Sequence, residues 1–199
     1  MHNRKNGFSA AWVARMGLLL AAACALSAVE SMILLPGAPP GVKLGLSNVV
    51  TMCCLFGMGS RPAYLLAVLK GLFVLLTRGP VAGLLSLGGG LLSLSVLVLL
   101  FRCRRPALGW VGLGVCGAVS HNIGQMLLAR LFTNAFLFYY LPVLLVSGVI
   151  MGTITGRIVA SLLPYWERTS AFLGTGTGFG RRSSSFGAGA DPSQGENIK

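Results

Sequence analysis

Acidic residues are scarce in this sequence, and charged residues of either sign are few. Asp and Glu together number 4 among 199 residues and Lys and Arg number 16, so 10% of the chain is charged while 54% is hydrophobic. A soluble globular domain usually carries about 25% charged residues. The shortage of charge argues against a soluble domain and indicates an integral membrane protein of one helical domain.

Paired cysteines are also missing. The 5 cysteines are Cys24, Cys53, Cys54, Cys103 and Cys116. No two of them form a CxxC motif, and most lie inside apolar runs, which argues against a disulfide framework or a zinc site. We interpret them as small hydrophobic residues of the interior.

Two glycine patterns lack the surroundings that nucleotide binding needs. Gly112, Gly114 and Gly117 fit GxGxxG, but the motif lies in an apolar helix with no strand before it. The glycines at 174, 176 and 178 are not followed by Lys-Ser/Thr, so they do not form a phosphate-binding loop. We therefore expect no nucleotide site, and likewise no cofactor.

Apolar runs divide the chain into candidate membrane spans. They cover residues 16–35, 44–58, 62–76, 81–101 and 110–132, with a sixth run inside 137–163. The pattern predicts an all-α bundle of six transmembrane helices. These helices form a single membrane domain at residues 16–166. Residues 1–15 form a polar head, and the Gly/Ser-rich residues 167–199 are expected to be a disordered tail.

The sequence also predicts where the spans are interrupted and whether the first one is retained. Gly88–Gly90 are predicted to interrupt the fourth span, and residues 77–80 to form a turn. The first run could instead be a cleaved signal peptide, but it continues well past Ala25, which favours a retained helix.

The distribution of basic residues predicts the orientation. With both termini in the cytoplasm, the inner side of the cell membrane carries Arg4, Lys5, Arg15, Arg61, Arg102, Arg104, Arg105, Arg157, Arg168, Arg181, Arg182 and Lys199. The outer side carries Lys43, Arg78 and Arg130, and Lys70 lies within a span. The positive-inside rule favours this arrangement. Short basic clusters between apolar runs are not typical of nucleic-acid binding, so no nucleic-acid partner is expected.

Polar residues in the spans share a common depth. In the predicted topology they lie in the middle and outer half of the membrane, at Glu30, Lys43, Asn48, Lys70, His121, Asn122 and Gln125. Charges in lipid are costly unless they face a cavity or a partner. We interpret the set as a substrate-binding pocket open to the outside, and the alternative is that Glu30 and Lys70 form a structural ion pair.

The polar residues of the second and fifth spans have separate alternatives. His121, Asn122 and Gln125 share one helix face, where they line the pocket or hold helices together by hydrogen bonds. Lys43 precedes a helix N-terminus that would suit an anionic group, or it extends to the membrane surface as an interfacial lysine. His121 has no second strong ligand nearby, so no metal site is predicted.

Small residues recur along the first span at Gly17, Ala21 and Ala25. This spacing gives a smooth stripe on which another helix can pack closely. The stripe serves either packing inside the bundle or docking onto a partner membrane subunit.

Three motifs resemble those of the Gx transporter family, also labelled heptaprenyl diphosphate synthase component I. Residues 39–48, PPGVKLGLSN, resemble its PG-(I/V)-K-L-G-L-(A/S)-N motif. Residues 88–93, GGGLLS, resemble its glycine-rich fourth helix, and residues 118–125, AVSHNIGQ, resemble its A-H-N-x-G-Q segment. The resemblance covers about residues 16–163.

The family is similar to the substrate-binding S components of energy-coupling-factor (ECF) transporters. That similarity implies a six-helix protein that binds a small-molecule substrate from outside. It also implies docking through the first helix onto an ECF-type coupling subunit driven by ATPases. The synthase label implies instead a prenyl diphosphate synthase subunit as partner. Such synthases use DDxxD motifs, whereas this chain has one aspartate, Asp191, so we expect a non-catalytic role.

Overall fold

The protein is built from α-helices. The computed structural model describes residues 10–32, 45–102, 108–132 and 141–172, and these contain no strand. The helices are α1 (Ala10–Met32), α2 (Leu46–Met58), α3 (Ser60–Arg78), α4 (Pro80–Arg102), α5 (Trp110–Phe132) and α6 (Leu141–Phe172). All except α2 are long and apolar enough to cross a membrane. The predicted all-α membrane class is confirmed, and the six-span topology with its orientation stays a prediction.

Helix α2 is the short, central helix of the bundle. Its 13 residues extend for about 20 Å, less than the roughly 30 Å of a bilayer core. It packs against α1, α3 and α6, and almost every side chain along it is buried. The Phe56 ring lies 5.7 Å from the ring of Phe101 and 5.2 Å from that of Trp110. The hydrophobic core is therefore centred on α2 rather than on a longer helix.

The observed helix ends differ from the predicted spans at several places. Helix α1 begins at Ala10, within the predicted polar head, and α3 continues to Arg78. The expected turn at 77–80 is reduced to Gly79, whose φ of 92° lies in the left-handed region that favours glycine. Helix α6 reaches Phe172 with Pro164 inside it. The rest of the predicted tail lies outside the described residues, and the domain boundaries stay predictions.

The predicted interruption of α4 at Gly88–Gly90 is wrong. The helix runs unbroken from Pro80 to Arg102. Glycine weakens helices in water because the exposed backbone can bond to solvent. In the hydrocarbon core of a membrane no water competes for these groups, so the helical hydrogen bonds are kept.

The glycines instead allow close contacts between α4, α5 and α6. A Cβ on Gly124 would lie 2.9 Å from the carbonyl oxygen of Gly88. A Cβ on Gly114 would meet the carbonyl oxygen of Gly152 and lie 2.7 Å from the backbone nitrogen of Gly156. Small residues at such contacts let membrane helices approach backbone to backbone. The pattern at 112–117 thus includes a helix-packing site at Gly114, and this packing fixes α5 between its neighbours.

Candidate functional site

A polar cavity lies where the helices converge. Every helix contributes to its lining, including Ser27 of α1, Thr51 of α2, Ser86 of α4 and Thr155 of α6. Its volume is about 40 Å³, enough for about three water molecules at roughly 10–15 Å³ each. The lining side chains therefore fill most of the cavity, and a larger ligand would need the helices to separate.

The carboxylate of Glu30 binds the N-terminal end of α2. The backbone N–H of Gly45 donates a hydrogen bond to Oε1 of Glu30. Gly45 is the N-cap residue of α2, with a left-handed φ of 72°, and it has no side chain to cap the helix. A carboxylate near a helix N-terminus is stabilised by the partial positive charge of unpaired N–H groups. Glu30 thus supplies from α1 the anionic cap that α2 lacks.

Two cationic side chains of α3 enter the same cavity. Lys70 is 2% exposed, and its Nζ donates to Oγ of Ser47 at 3.3 Å and to Oδ1 of Asn48 at 3.2 Å. The guanidinium of Arg78 donates to the carbonyl oxygen of Ser27. These bonds join α3 to α2 and to α1 respectively. The direct Glu30–Lys70 ion pair stays a prediction.

The fifth helix contributes a polar face. His121 and Gln125 are buried, and Asn122 is half-buried. A Cβ on Gly89 would lie 2.9 Å from Cε1 of His121 and 2.8 Å from Cγ of Gln125. The missing side chain at Gly89 therefore makes room for both residues. In the opposite direction, Nδ2 of Asn122 donates to the carbonyl oxygen of Leu144 at 2.9 Å, which links α5 to α6.

Six of the seven residues predicted as substrate-binding line this one cavity. They are Glu30, Asn48, Lys70, His121, Asn122 and Gln125. The seventh, Lys43, lies outside the described residues. Their convergence agrees with the depth argument, and their role in binding a substrate stays a prediction.

Other lining residues were missed by the sequence reasoning. The distribution of basic residues predicts Arg78 on the outer side of the membrane, and in the structure its side chain turns inward to α1. Small hydroxyl residues such as Ser47 and Ser147 were not singled out, although they line the cavity. Arg78 carried a usable signal, because it lies eight residues, about two turns, after Lys70 and so shares its helix face.

The small-residue stripe of α1 faces away from the bundle. Gly17, Ala21 and Ala25 are all exposed, and a Cβ added to Gly17 would have no heavy atom within 4 Å. The opposite face of α1 is the buried one, with Ala23, Ser27 and Glu30. The stripe therefore makes no close packing contact at Gly17 with the described residues, and its use in docking stays a prediction.

The cavity can bind a polar group, and its charges do not favour metal chemistry. Glu30, Lys70 and Arg78 are the fully charged residues of the described lining. Across the described ranges, no group of three or more His, Cys, Asp or Glu could hold a metal ion. Cations in excess over one carboxylate suit a ligand with an anionic group.

Comparison with protein families gives one match. The model of the family described as heptaprenyl diphosphate synthase component I matches residues 19–162. The chain belongs to this family. The match confirms the resemblance drawn from the three motifs, and it spans every helix, from α1 to α6. No match was found among curated proteins or among solved structures.

Proposed function

We propose that the protein is the substrate-binding membrane subunit of a small-solute uptake transporter, similar to an ECF S component. The observation that carries the proposal is the meeting of polar side chains from all six helices in one cavity inside an otherwise apolar bundle. Burying Glu30 and Lys70 in a membrane is costly. A binding site explains why these charged residues are buried, whereas a purely structural bundle would not need them.

The ligand is a small solute with a carboxylate or phosphate group. The partial charge at the start of α2 compensates Glu30, because its carboxylate already accepts the Gly45 N–H. Lys70 and Arg78 then give the cavity its net positive character. Lys43, if it lies at the same mouth as the sequence predicts, would add to it.

Helix α1 is the element that opens the cavity. The hydrogen bonds that join α1 to its neighbours at the cavity include Gly45 to Glu30 and Arg78 to Ser27. An entering anion that attracts Arg78 would weaken the second bond and let α1 move outward. The proposed orientation has both termini in the cytoplasm and the cavity facing the outer side of the cell membrane.

The coupling partner docks on the outer stripe of α1. Gly17, Ala21 and Ala25 are exposed small residues on a membrane helix, which suits close packing of a helix from another subunit. That subunit would be an ECF-type coupling protein that carries the ATPases. The chain itself is then not an enzyme.

The binding half of the proposal is tested with the purified full-length protein. Thermal unfolding is followed with a panel of small carboxylates and phosphates, and native mass spectrometry looks for a retained solute. At least one anion should raise the melting temperature of the wild type. Lys70→Met and Asn48→Ala should remove that rise, as should Lys43→Ala.

The control for these variants is Ser95→Ala. Ser95 lies on α4 but on its exposed side, outside the cavity lining. It should leave the response to the anion unchanged. Equal responses in Lys70→Met, Asn48→Ala and wild type would remove the cavity from consideration as the binding site.

A second candidate function rests on the description of the family. The protein would be a non-catalytic membrane component that associates with a prenyl diphosphate synthase subunit. The synthase subunit would carry the DDxxD motifs. Co-purification of such a subunit, together with a changed quinone chain length on deletion of this chain, would favour this function over transport.

A further inference from the structure

A second, apolar groove runs between α1, α2 and α6. It has a volume of about 660 Å³, within the roughly 300–1,000 Å³ typical of ligand pockets. Aliphatic side chains form most of its lining, among them Leu19 of α1, Val50 of α2 and Leu163 of α6. We call it the α1–α2–α6 groove. It is separate from the polar cavity, and no residue lines both.

One end of the groove is cationic. Arg15 of α1 is its only charged lining residue among those described. The Nη2 atom of Arg15 is buried and has no hydrogen-bond partner in the structure. Arg168 is exposed on α6, three residues after the groove residue Tyr165 and so on the same helix face. A buried guanidinium nitrogen without an acceptor is unfavourable. Turning the long Arg15 side chain toward a phosphate oxygen at this end of the groove would satisfy it.

The length of the groove matches one leaflet of a bilayer. From Arg15 to Leu26 the lining follows α1 for about 16 Å, at 1.5 Å per residue. The hydrocarbon core is about 30 Å thick, so one leaflet is about half of that. A transmembrane helix of a partner spans both leaflets and would extend well beyond the groove. A hydrocarbon chain whose head lies at Arg15 fits the observed length better.

We propose that the α1–α2–α6 groove binds one acyl chain of an anionic phospholipid, with its phosphate at Arg15 and Arg168. Basic pockets between membrane helices on the cytoplasmic side are known to take anionic lipid headgroups. The groove's cationic end is on the side of the N-terminus, which the distribution of basic residues predicts to be cytoplasmic. This site is independent of the solute cavity and of the proposed transport function.

The test compares two lipids on the full-length protein in neutral detergent. Phosphatidylglycerol or phosphatidylcholine is titrated in, and native mass spectrometry measures the fraction of protein that retains one lipid. Phosphatidylglycerol should be retained preferentially. Arg15→Gln should weaken its retention about fivefold, which corresponds to about 1 kcal/mol for one basic residue near a lipid headgroup. Arg102→Gln, which removes an exposed charge at the end of α4, should not.

A second variant tests the groove without touching its charge. Ala22→Phe places a ring in the groove and should lower retention of phosphatidylglycerol, whereas Leu99→Phe on the exposed side of α4 should not. Thermal unfolding in detergent alone shows whether either variant is misfolded. Equal retention of the two lipids, or no difference between each variant and its control, would overturn the proposal. Displacement of phosphatidylglycerol by farnesyl diphosphate at lower concentration would also overturn it, and would assign the groove to an isoprenoid.

Discussion

Helices α1 and α5 both carry small residues at helical spacing, and the structure surrounds them in opposite ways. In α5, Gly114 and Gly124 lie against backbone atoms of α6 and α4. In α1, Gly17 has open space where a side chain would begin. Small residues at helical spacing thus lie in a helix–helix contact in α5 and on an exposed surface in α1. Spacing alone does not distinguish a helix held by its own bundle from one available to a partner.

The largest effect is expected from adding one methyl group to α5 at Gly114. Gly114→Ala places a Cβ against the backbone of Gly152 and Gly156, where no flexible side chain can move aside. Overpacking of this kind costs about 1–3 kcal/mol and occasionally more, and we expect at least 3 kcal/mol here. Thermal unfolding in detergent measures it.

The matched control is Gly17→Ala in α1. The added methyl group has no heavy atom within 4 Å, so stability should stay the same. A loss of stability in Gly17→Ala as large as that in Gly114→Ala would break the comparison between the two helices.

A smaller but more specific effect is expected at Gly89. An alanine there would press on the side chains of His121 and Gln125, which can shift, and on the backbone carbonyl oxygen of His121 at 2.9 Å, which cannot shift readily. We expect a loss of about 1–2 kcal/mol in stability and a weaker thermal response to the anion found for the wild type. Gly109→Ala is the control, because its Cβ would have no heavy atom within 4 Å and the residue lies outside the cavity lining. Equal anion responses in the two variants would show that Gly89 does not position the polar face of α5.

A substitution in the small-residue stripe of α1 should weaken binding of the partner subunit and leave the stability of the protein unchanged. Ala21→Leu adds bulk on an exposed face, and such surface changes usually alter stability by less than about 0.5 kcal/mol. Co-purification of the coupling subunit from membranes should nevertheless be lost. Leu99→Phe, which adds bulk on the exposed side of α4, should keep it. If Ala21→Leu still co-purifies with the coupling subunit, the stripe is not the docking surface.

The smallest effect is expected at the cap of α2. Glu30→Gln keeps an acceptor for the Gly45 N–H but removes the charge that favours a helix N-terminus. Glu30 is 8% exposed. At partly buried sites such charge–dipole interactions contribute up to about 2 kcal/mol, and the cost of burying the charge offsets part of this. Glu30→Leu should cost more, because the Gly45 N–H would then lose its acceptor. Unfolding temperatures measure the stability lost in each variant. A smaller loss in Glu30→Leu than in Glu30→Gln would contradict the role of Glu30 as the cap of α2.

Much of the fold was readable because the membrane imposes simple rules. The bounds predicted for α5, 110–132, are those observed, since an apolar run flanked by loop residues leaves little choice. The predicted depth of the polar residues in the membrane was sufficient to group Glu30 and Lys70 with the polar residues of α5. The break predicted at Gly88–Gly90 was wrong because helix propensities describe chains in water.

Side-chain direction was harder to predict than depth. Ser93 and Ser95 are two residues apart in the same apolar helix, yet Ser93 lines the cavity and Ser95 is exposed. Hydroxyl groups can satisfy themselves within their own helix, as Oγ of Ser95 does by donating to the carbonyl oxygen of Leu91 at 2.8 Å. An apolar stretch therefore tolerates serine on either face. Arg78 likewise reaches inward because α1 places the carbonyl of Ser27 within reach, which depends on tertiary packing.

The shortness of α2 has an electrical consequence. If its C-terminal end lies at the inner surface, its 13 residues bring its N-terminal end to about 10 Å below the outer one. An anion bound beside Lys70 would then have crossed about a third of the membrane's electric field. At about 2.3 kcal/mol per charge for 100 mV, an inside-negative potential would oppose its binding by about 0.8 kcal/mol. Solute affinity in energised vesicles should therefore be lower than in detergent and should recover when the potential is collapsed.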